Sequence, residues 1–280
     1  MNNSLIVSSN GTALSEVEAA ILAEMDAEGD AGYEFIPERI KLGAGGMLAF
    51  QSSDGTILQP PFEGVVVVAQ RARAYWPVKG TGSTPPLCSS QDSVQGYFDP
   101  HSELARDAAA QRVKHPAVLA LDAAAAEGPW SCAHCPLSEF GSAAVGNGQA
   151  CKVLRRLVVL IKGWAAPVLL TLPPTSVKIW DQYVSGRRSR GKSYFDVWSK
   201  IGLVSDKSRT GDPYAKLSIS AGEPLSEGQK AEVIAMRRQY EALVREMGIA
   251  AEEYETVDAA AQPHGDPVPA APPVDEDTPF

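Results

Sequence analysis

The sequence predicts an α+β fold that consists mainly of β-strands. Strand-like runs recur in two blocks, residues 39–76 and 151–225. Between these blocks, residues 77–150 lack apolar periodicity and are rich in Gly, Pro and Ser. About five or six strands with one long irregular insertion and few helices are typical of a small, partly open β-barrel. We therefore expect an OB-fold-like, partly open barrel with a loop insertion, flanking helices and a disordered acidic C-terminal tail.

Local signals divide the chain into three parts. "SEVEAAILAEMDAEG" combines a capping-box pattern with helical apolar spacing, so residues 1–32 are assigned to an N-terminal helical or flexible segment. Residues 33–250 form the predicted β-rich domain, whose insertion runs from about 77 to 151. Residues 251–280 begin with an Ala- and Pro-rich linker and are the predicted disordered tail.

The elements of the β-rich domain follow in order from short patterns. "RIKLG", "MLAFQ" and "EGVVVVAQRARAYW" predict strands separated by Gly-containing turns. "CKVLRRLVVLIKG", "PVLLTLPP", "SYFDVWSKIGLVSD" and "YAKLSISAGEPL" predict further strands after the insertion. We expect a short helix in "SVKIWDQYVSG", capped by Ser176 and ended by Gly186, and a long helix from residue 226 that ends at Gly248. Ala-rich patches predict helix inside the insertion.

The charge of the chain is segregated. Residues 152–216 contain thirteen Lys or Arg against four acidic residues, a local charge of +9 within a chain of net charge −9. Residues 251–280 contain eight acidic residues and no Lys or Arg. This asymmetry is typical of a polyanion-binding body with an acidic tail, although a solvated surface with an ordinary disordered end has the same composition.

Four cysteines fall in or beside the insertion and form its sharpest pattern. They stand in "PLCSS", "SCAHCP" and "QACK", as Cys88, Cys132, Cys135 and Cys151. Four thiolates, two of them in a C-x2-C turn, suit a closed tetrahedral Zn²⁺ site, which would hold an irregular segment without a core of its own. Buried free thiols and a redox C-x2-C are the alternatives, and His101, His115 or His134 could replace a cysteine ligand. The sequence thus predicts a structural zinc ion and a metal-stabilised insertion.

Four segments resemble a family of phage and mobile-element proteins associated with replication and recombination. These are "PLCSS", "CAHCPLSEFGS", "GQACKVLRRLVVL" and "LTLPPTSVKIWDQYV", and the resemblance covers about residues 60–220. It implies single-stranded-DNA binding and a metal-bearing insertion. The chain departs from the family pattern after "CSS", where it reads "CSSQDSVQG" instead of an Asp-Gly, and it has extra Ala-rich helix between the first two metal-binding segments.

The last residues, "VDEDTPF", are similar to the acidic tip of bacterial single-stranded-DNA-binding proteins. That resemblance implies docking on replication and recombination proteins. Phe280 would enter an apolar pocket, Pro279 would limit the entropy lost on docking, and Asp275, Glu276 and Asp277 would provide electrostatic steering. Thr278 departs from the pattern, which has an apolar residue there.

A surface for single strands combines cations for phosphates with aromatic rings for bases. The basic region contains both kinds of residue, and core packing is the alternative for each ring. In "SYFDVWSKIGL", alternation places Tyr194, Asp196, Trp198 and Lys200 on one face, which we expect to be exposed. The predicted nucleic-acid-binding residues are Tyr75, Trp76, Lys152, Arg155, Arg156, Lys178, Trp180, Tyr183, Arg187, Arg188, Arg190, Lys192, Tyr194, Trp198 and Lys200.

These patterns favour a non-catalytic protein that coats single-stranded DNA by electrostatics and stacking. "GAGG" lacks the Lys-Ser/Thr of a P-loop, and the chain has no His-Glu-x-x-His pair, so we expect no enzyme. The alternative is a zinc-stabilised regulatory protein that acts on host replication or transcription machinery without binding DNA. With no N-terminal signal and no apolar run long enough to span a bilayer, we expect a cytoplasmic protein of a bacterial host cell, with no membrane partner. The sequence leaves open whether the chain forms a homo-oligomer.

Overall fold

The structure is a computed structural model. It describes residues 37–43, 46–53, 55–77, 85–99, 129–143, 147–208, 211–250 and 253, together with Ala20, Ile21 and Glu24. Those last three residues are helical, as the capping-box segment predicts. The remainder of segment 1–32, the Ala-rich patches, His101 and His115 lie outside the described residues. So does the acidic tip, including Asp275, Glu276, Asp277, Pro279 and Phe280.

A mixed sheet forms the framework of the described chain. Its strands are β1 (Arg39–Leu42), β2 (Phe50–Ser52), β3 (Ile57–Leu58), β4 (Phe62–Tyr75), β5 (Cys88–Ser90), β6 (Gln95–Phe98), β7 (Trp130–Ser131), β8 (Lys152–Ile161), β9 (Val168–Leu172), β10 (Val197–Lys207) and β11 (Pro213–Pro224). The order is β3-β2-β1-β9-β8-β4-β5-β6-β7, and β10 branches from β4 to pair with β11. β1 and β9 pair in parallel, and the other recorded pairs are antiparallel.

This sheet is open, since no recorded pairing joins its two ends within the described residues. The prediction of an α+β, mainly β fold is confirmed at that level. The insertion supplies β5, β6 and β7, which the sequence does not predict, because these strands are only two to four residues long. Strands this short carry too little alternation to stand out from a loop.

Two helices cover the two faces of the sheet. α1 (Pro174–Arg188) packs Trp180 against the core that contains Val66, Leu157 and Leu170. α2 (Glu227–Glu246) packs Val233, Tyr240 and Val244 against the other face. The two helices therefore bury both faces of the central strands, which explains why "VVVV" and "LVVLI" are continuous apolar runs instead of alternating ones.

A β-bulge in β4 adapts the strand to the second core. The pairing register of β4 with β8 shifts between Val66 and Val68. As a result Val67 and Val68, although adjacent, both pack in the core under α2, whereas Val66 packs under α1. A bulge bends the strand at this point and strengthens its twist.

The start of α1 differs from the prediction. The helix begins at Pro174 after an N-cap at Pro173, and it continues through Gly186 to Arg188. Ser176 does not cap it, because the Ser176 hydroxyl is buried and accepts a hydrogen bond of 3.0 Å from the backbone N–H of Leu217 in β11. Proline at the first helical position needs no such cap, since its missing N–H would be unpaired there.

α2 begins and ends as its sequence predicts. Ser226 and Gln229 form a reciprocal capping box, in which the hydroxyl accepts from the Gln229 N–H and the Gln229 side chain accepts from the Ser226 N–H. The helix ends at Glu246, and Gly248 follows it. Neither this helix nor any other in the described chain is long and apolar enough to cross a membrane.

The folded chain continues beyond the predicted boundary at residue 250. Glu253, assigned by the sequence to the disordered tail, is buried and accepts hydrogen bonds from Arg156 of β8 and Thr171 of β9. A carboxylate with these partners belongs to the body of the protein, so the described structure places Glu253 with the β-rich domain.

Candidate metal centre and nucleic-acid interface

The four cysteines come together at the end of the sheet that the insertion forms. Cys88 begins β5, and Cys151 directly precedes β8. Cys132 begins one short 3-10 helix (Cys132–His134), and Cys135 precedes a second one (Pro136–Ser138). Backbone hydrogen bonds tie these segments together, because the Cys151 N–H donates to Leu137 O and the Cys132 N–H to Val94 O, each at 2.9 Å.

Close packing of the sulfur atoms is visible at Gly96 in β6. A Cβ added to Gly96 would lie 3.1 Å from Cys88 Sγ, which is a tight contact, and 3.6 Å from Cys132 Sγ, so both thiols lie close to this glycine. All four cysteines are free of disulfides. The structure thus places the four cysteines in one region at the end of the sheet.

The electrostatics of the cluster also show this proximity. Burial raises the pKa of Cys88 to about 12, and the neighbouring Cys151, Cys132 and Cys135 add to the rise. Burial likewise raises the pKa of Cys151 to about 12, with Cys135 and Cys132 adding to it and Arg73 opposing it. Thiolates at this site therefore require a positive charge to stabilise them, and a divalent cation is one group that would supply it.

Arg73 supplies one such charge from β4. Its guanidinium lowers the pKa of both Cys132 and Cys151 against the effect of burial. Arg73 Nη1 is buried without a hydrogen-bond partner among the described residues. An unpaired guanidinium donor beside four thiols fits a site that becomes anionic when the thiols ionise.

The fit to zinc rests on the donor set rather than on preformed geometry. As placed, the described residues contain no group of three His, Cys, Asp or Glu side chains that could hold a metal ion. The four soft, free thiols with a nearby arginine are nevertheless the donors that Zn²⁺ takes in closed structural sites. His134 is exposed, and its Nδ1 shares a hydrogen bond of 2.9 Å with Ser131 Oγ, outside the thiol cluster.

A second feature is a cavity of about 500 Å³ between the sheet, α1 and α2, which we call the arginine cavity. Four guanidinium groups and one carboxylate line it, so its lining is strongly cationic. Its residues are Ala69, Arg71, Arg155, Trp180, Asp181, Val184, Ser185, Arg188, Tyr194 and Arg237.

The arginine cavity exists because one edge of β4 is unpaired in the middle. On that edge β10 pairs with residues 62–64 and β5 with residues 73–75. Within the described chain no strand pairs with residues 65–72 there, and α2 covers part of the gap. Arg237 of α2 satisfies the freed backbone, because its Nη1 donates to Val67 O at 2.8 Å.

The arginines of the cavity have different roles. Arg155 is neutralised by Asp181, to which it donates two hydrogen bonds of 3.1 and 2.8 Å. Arg237 has no acidic partner in the described chain; it donates to Tyr194 Oη at 2.7 Å and lies 4.8 Å from the ring centroid of Phe195. Arg71 and Arg188 are exposed and form no ion pair with any described residue. Three positive charges are therefore available to an anion.

Of the predicted nucleic-acid-binding residues, the structure places four in the arginine cavity, namely Arg155, Trp180, Arg188 and Tyr194. The two rings do not offer free faces. Trp180 is 3% exposed and Tyr194 is 8% exposed, and they pack edge-to-face with centroids 5.3 Å apart. These rings form the wall of the cavity, so the prediction that they stack on bases is corrected.

The predicted exposed face of "SYFDVWSKIGL" is wrong for its two rings, whereas Lys200 is exposed. Trp198 is buried against the core under α2, with Lys162 Nζ 5.6 Å from its ring centroid. Tyr194 precedes β10 and is buried in the core under α1. An alternating pattern of apolar and polar residues indicates an exposed face only when one face of the sheet is open to solvent, whereas helices cover both faces of this sheet.

Arg156 is the clearest correction among the predicted cations. It is fully buried and donates to both carboxylate oxygens of Glu253, to Gln70 and to three backbone carbonyls. Neighbouring residues of a strand point to opposite faces, so Arg155 faces the arginine cavity and Arg156 faces α2. Arg156 is a structural residue and is closed to a nucleic acid.

The remaining predicted residues are dispersed. Tyr75 is buried beside the cysteines, where burial raises its pKa to about 12, and Trp76 is half-buried next to it. Lys152 Nζ donates to Gln149 O, Arg187 pairs with Asp196, and Tyr183 shares a hydrogen bond with Ser199. The exposed cations are Lys178, Arg190, Lys192 and Lys200.

Two cavity residues, Arg71 and Arg237, are absent from the predicted set. Arg71 lies in the basic end of the predicted strand "EGVVVVAQRARAYW", so its charge could have been counted with the others. Arg237 lies on a helix far away in sequence, and no local signal places it beside β4.

The chain matches no protein-family model, no curated protein and no solved structure.

Proposed function

We propose that the protein binds single-stranded DNA at the arginine cavity and does so without catalysing a reaction. The observation that carries the proposal is the set of three guanidinium groups, Arg71, Arg188 and Arg237, which have no acidic partner among the described residues. Unpaired arginines around a concavity are the groups that hold phosphates by charge-assisted hydrogen bonds.

Exposed cations near the end of α1 extend this surface. Arg188 ends α1, and Arg190 and Lys192 follow in the turn that contains Gly191 in a left-handed conformation. A strand of DNA repeats its negative charge at every nucleotide, so a line of cations beyond the cavity adds affinity without reading sequence.

The proposal includes a structural zinc ion held by Cys88, Cys132, Cys135 and Cys151. When bound, the ion would stabilise four thiolates and close the insertion around them. The four cysteines bound to the ion would then hold β5 and β6 next to β4, beside the unpaired edge of β4 that borders the arginine cavity.

We also propose that the sheet is related to an OB-fold-like barrel. Two features support this relationship. β4 is fourteen residues long, carries a bulge and pairs with three strands along its length. The turn between β1 and β2 lies against the start of β11, because a Cβ added to Gly46 would be 2.9 Å from Pro213 Cβ. A crystal structure in which the turn between β1 and β2 lies away from Pro213 would contradict the relationship.

The function is tested by fluorescence titration with short deoxythymidine oligonucleotides at several salt concentrations. Because each neutralised phosphate releases counterions, log K should fall with log salt with a slope of about −0.7 per phosphate contact. Failure to bind the oligonucleotide even at low salt would overturn the proposal.

The same titration separates this function from its alternative, a zinc-stabilised regulatory protein that does not bind DNA. One observation favours the alternative. Phe140 is 82% exposed and Val94 is 61% exposed, so the described surface of the insertion includes two large apolar side chains that a partner protein would cover. Recruitment of replication or recombination proteins through the acidic tip remains a prediction from the sequence alone.

A further inference from the structure

A second cavity, of about 470 Å³, lies next to the arginine cavity and shares Arg71 with it. Ala69 and Arg71 line both cavities, so the two adjoin at one exposed cation. We call the second one the amide cavity, because three glutamines line it, Gln70, Gln91 and Gln95. Val68, Asp92, Tyr97 of β6 and three residues of α2, namely Glu241, Val244 and Arg245, complete its lining, so two carboxylates and two guanidinium groups also face the cavity.

Tyr97 offers the free aromatic face that Trp180 and Tyr194 lack. The residue is 53% exposed although it lines the cavity, and its strand is held by pairing between Tyr97 and Ser89 of β5. Its hydroxyl donates to Gln95 Oε1 at 3.4 Å. A ring that is fixed at its backbone and open on a face is suited to stack on an unpaired base.

The three glutamines differ in whether their side-chain amide groups are already hydrogen-bonded within the protein. Gln70 is used, because its Nε2 donates to Val244 O and its Oε1 accepts from Arg156. Gln91 forms no side-chain hydrogen bond with any described residue, and the amide NH₂ group of Gln95 forms none either. Free amide groups supply both donors and acceptors, which is what the edge of a base requires.

The turn that carries Gln91 and Gln95 is well ordered by its own hydrogen bonds. Asp92 Oδ1 accepts from the Val94 N–H at 2.7 Å, from the Gln95 N–H at 2.9 Å and from Ser90 Oγ at 3.0 Å. This turn joins β5 to β6 and lies next to Cys88 and Cys132 in the chain fold. The insertion therefore positions the amide groups and the ring as a unit.

We propose that the amide cavity holds an unpaired nucleobase of the strand whose phosphates lie in the arginine cavity, stacked on Tyr97 and hydrogen-bonded by Gln91 and Gln95. The inference rests on the proposed function and assigns a base-binding part to it. The amide groups rotate to present either donors or acceptors, so the subsite accepts different bases.

The test compares an oligodeoxythymidine with an abasic oligonucleotide of the same length and phosphate number. Stacking predicts that the full-length protein binds oligodeoxythymidine about 5- to 150-fold more tightly than the abasic strand at one salt concentration. Tyr97→Leu should remove most of that ratio and leave the salt slope unchanged. Phe140→Leu, which removes a more exposed ring outside the cavity, should leave both unchanged.

Gln91→Ala provides a second variant that removes no ring and no backbone contact. It should reduce the same ratio by a smaller factor. Equal affinity for the two strands, with a steep salt dependence, would overturn the base subsite and leave the proposed function intact. Loss of the ratio in Phe140→Leu as well as Tyr97→Leu would also overturn it, whereas a wild-type protein that binds neither strand would overturn the proposed function itself.

Discussion

Arg156 and Glu253 form an ion pair whose two side chains are almost completely removed from solvent, with exposures of 0% and 1%. Arg156 Nε lies 2.9 Å from Glu253 Oε2, and Arg156 Nη2 lies 3.1 Å from Oε1. Arg39 and Thr171 also donate to the same carboxylate. The pair fastens the chain that follows α2 to β1, β8 and β9.

Glu253→Gln should strongly destabilise the protein. The substitution removes the charge that compensates a buried guanidinium, and the expected loss in the free energy of unfolding is about 3–5 kcal/mol. Urea unfolding followed by far-UV circular dichroism measures it. Glu246→Gln, an exposed carboxylate at the end of α2, serves as the control, and equal stability of the two variants would contradict the role given to Glu253.

Replacing both members of the ion pair distinguishes the effect of charge from the effect of packing. The double variant Arg156→Met/Glu253→Leu removes both buried charges, so it should recover much of the stability that Glu253→Gln loses. Recovery would attribute the loss to an unpaired buried charge and not to the packing of residue 253.

Truncation within the acidic segment should have two separate effects that depend on where the chain is cut. A chain that ends after residue 250 lacks Glu253 and should be destabilised as Glu253→Gln is. A chain that ends after residue 256 retains the ion pair and loses five acidic residues, so it should fold and bind single-stranded DNA more tightly at low salt. Unchanged DNA affinity after the second cut would show that these acids do not compete with DNA.

The fold class was predictable from the sequence because long strands and α2 carry their own signals. "EGVVVVAQRARAYW" and the Ser226/Gln229 capping box describe elements that local chemistry nearly determines. The burial of Tyr194 and Trp198 was not predictable in this way, since it depends on helices that pack on both faces of the sheet. The partner of Arg156 is ninety-seven residues away in the chain, beyond the reach of any local pattern.

Arg71→Gln and Arg188→Gln should each weaken DNA binding and reduce its salt dependence. Both guanidinium groups are exposed, line the arginine cavity and form no ion pair with described residues, so each substitution should remove one phosphate contact and reduce the salt slope by about 0.7. Titration with an oligodeoxythymidine at several salt concentrations measures both quantities. Arg238→Gln, an exposed arginine of α2 that lines neither cavity, should leave the slope unchanged.

The candidate sites differ in how far the sequence could locate them. Four cysteines in or beside a patternless segment predict that these residues lie close together, because a shared metal needs only the right donors. The arginine cavity could not be predicted as a unit, since its residues come from β4, β8, α1 and α2 and meet only where an edge of β4 is unpaired.

The cysteine cluster leads to a prediction about metal content. Protein purified without added zinc should contain about one Zn²⁺ per chain, measurable by metal analysis. Its thiols should resist a thiol-specific reagent until a chelator is added, after which all four should react. Cys135→Ser, at a half-buried position, should lose the ion, while His134→Ala should retain it because that imidazole is exposed and bonded to Ser131.

Metal removal should loosen the insertion more than the rest of the protein. The core under α2 contains Val65, Leu160 and Val233 and does not depend on the cysteines, whereas Leu87, Leu137 and Cys151 pack together in a separate small cluster beside the thiols. Hydrogen exchange should therefore accelerate first at the N–H groups of Cys132 and Cys151. Four freely reactive thiols in metal-replete protein would contradict the site, because thiolates bound to zinc cannot all react while the ion remains in place.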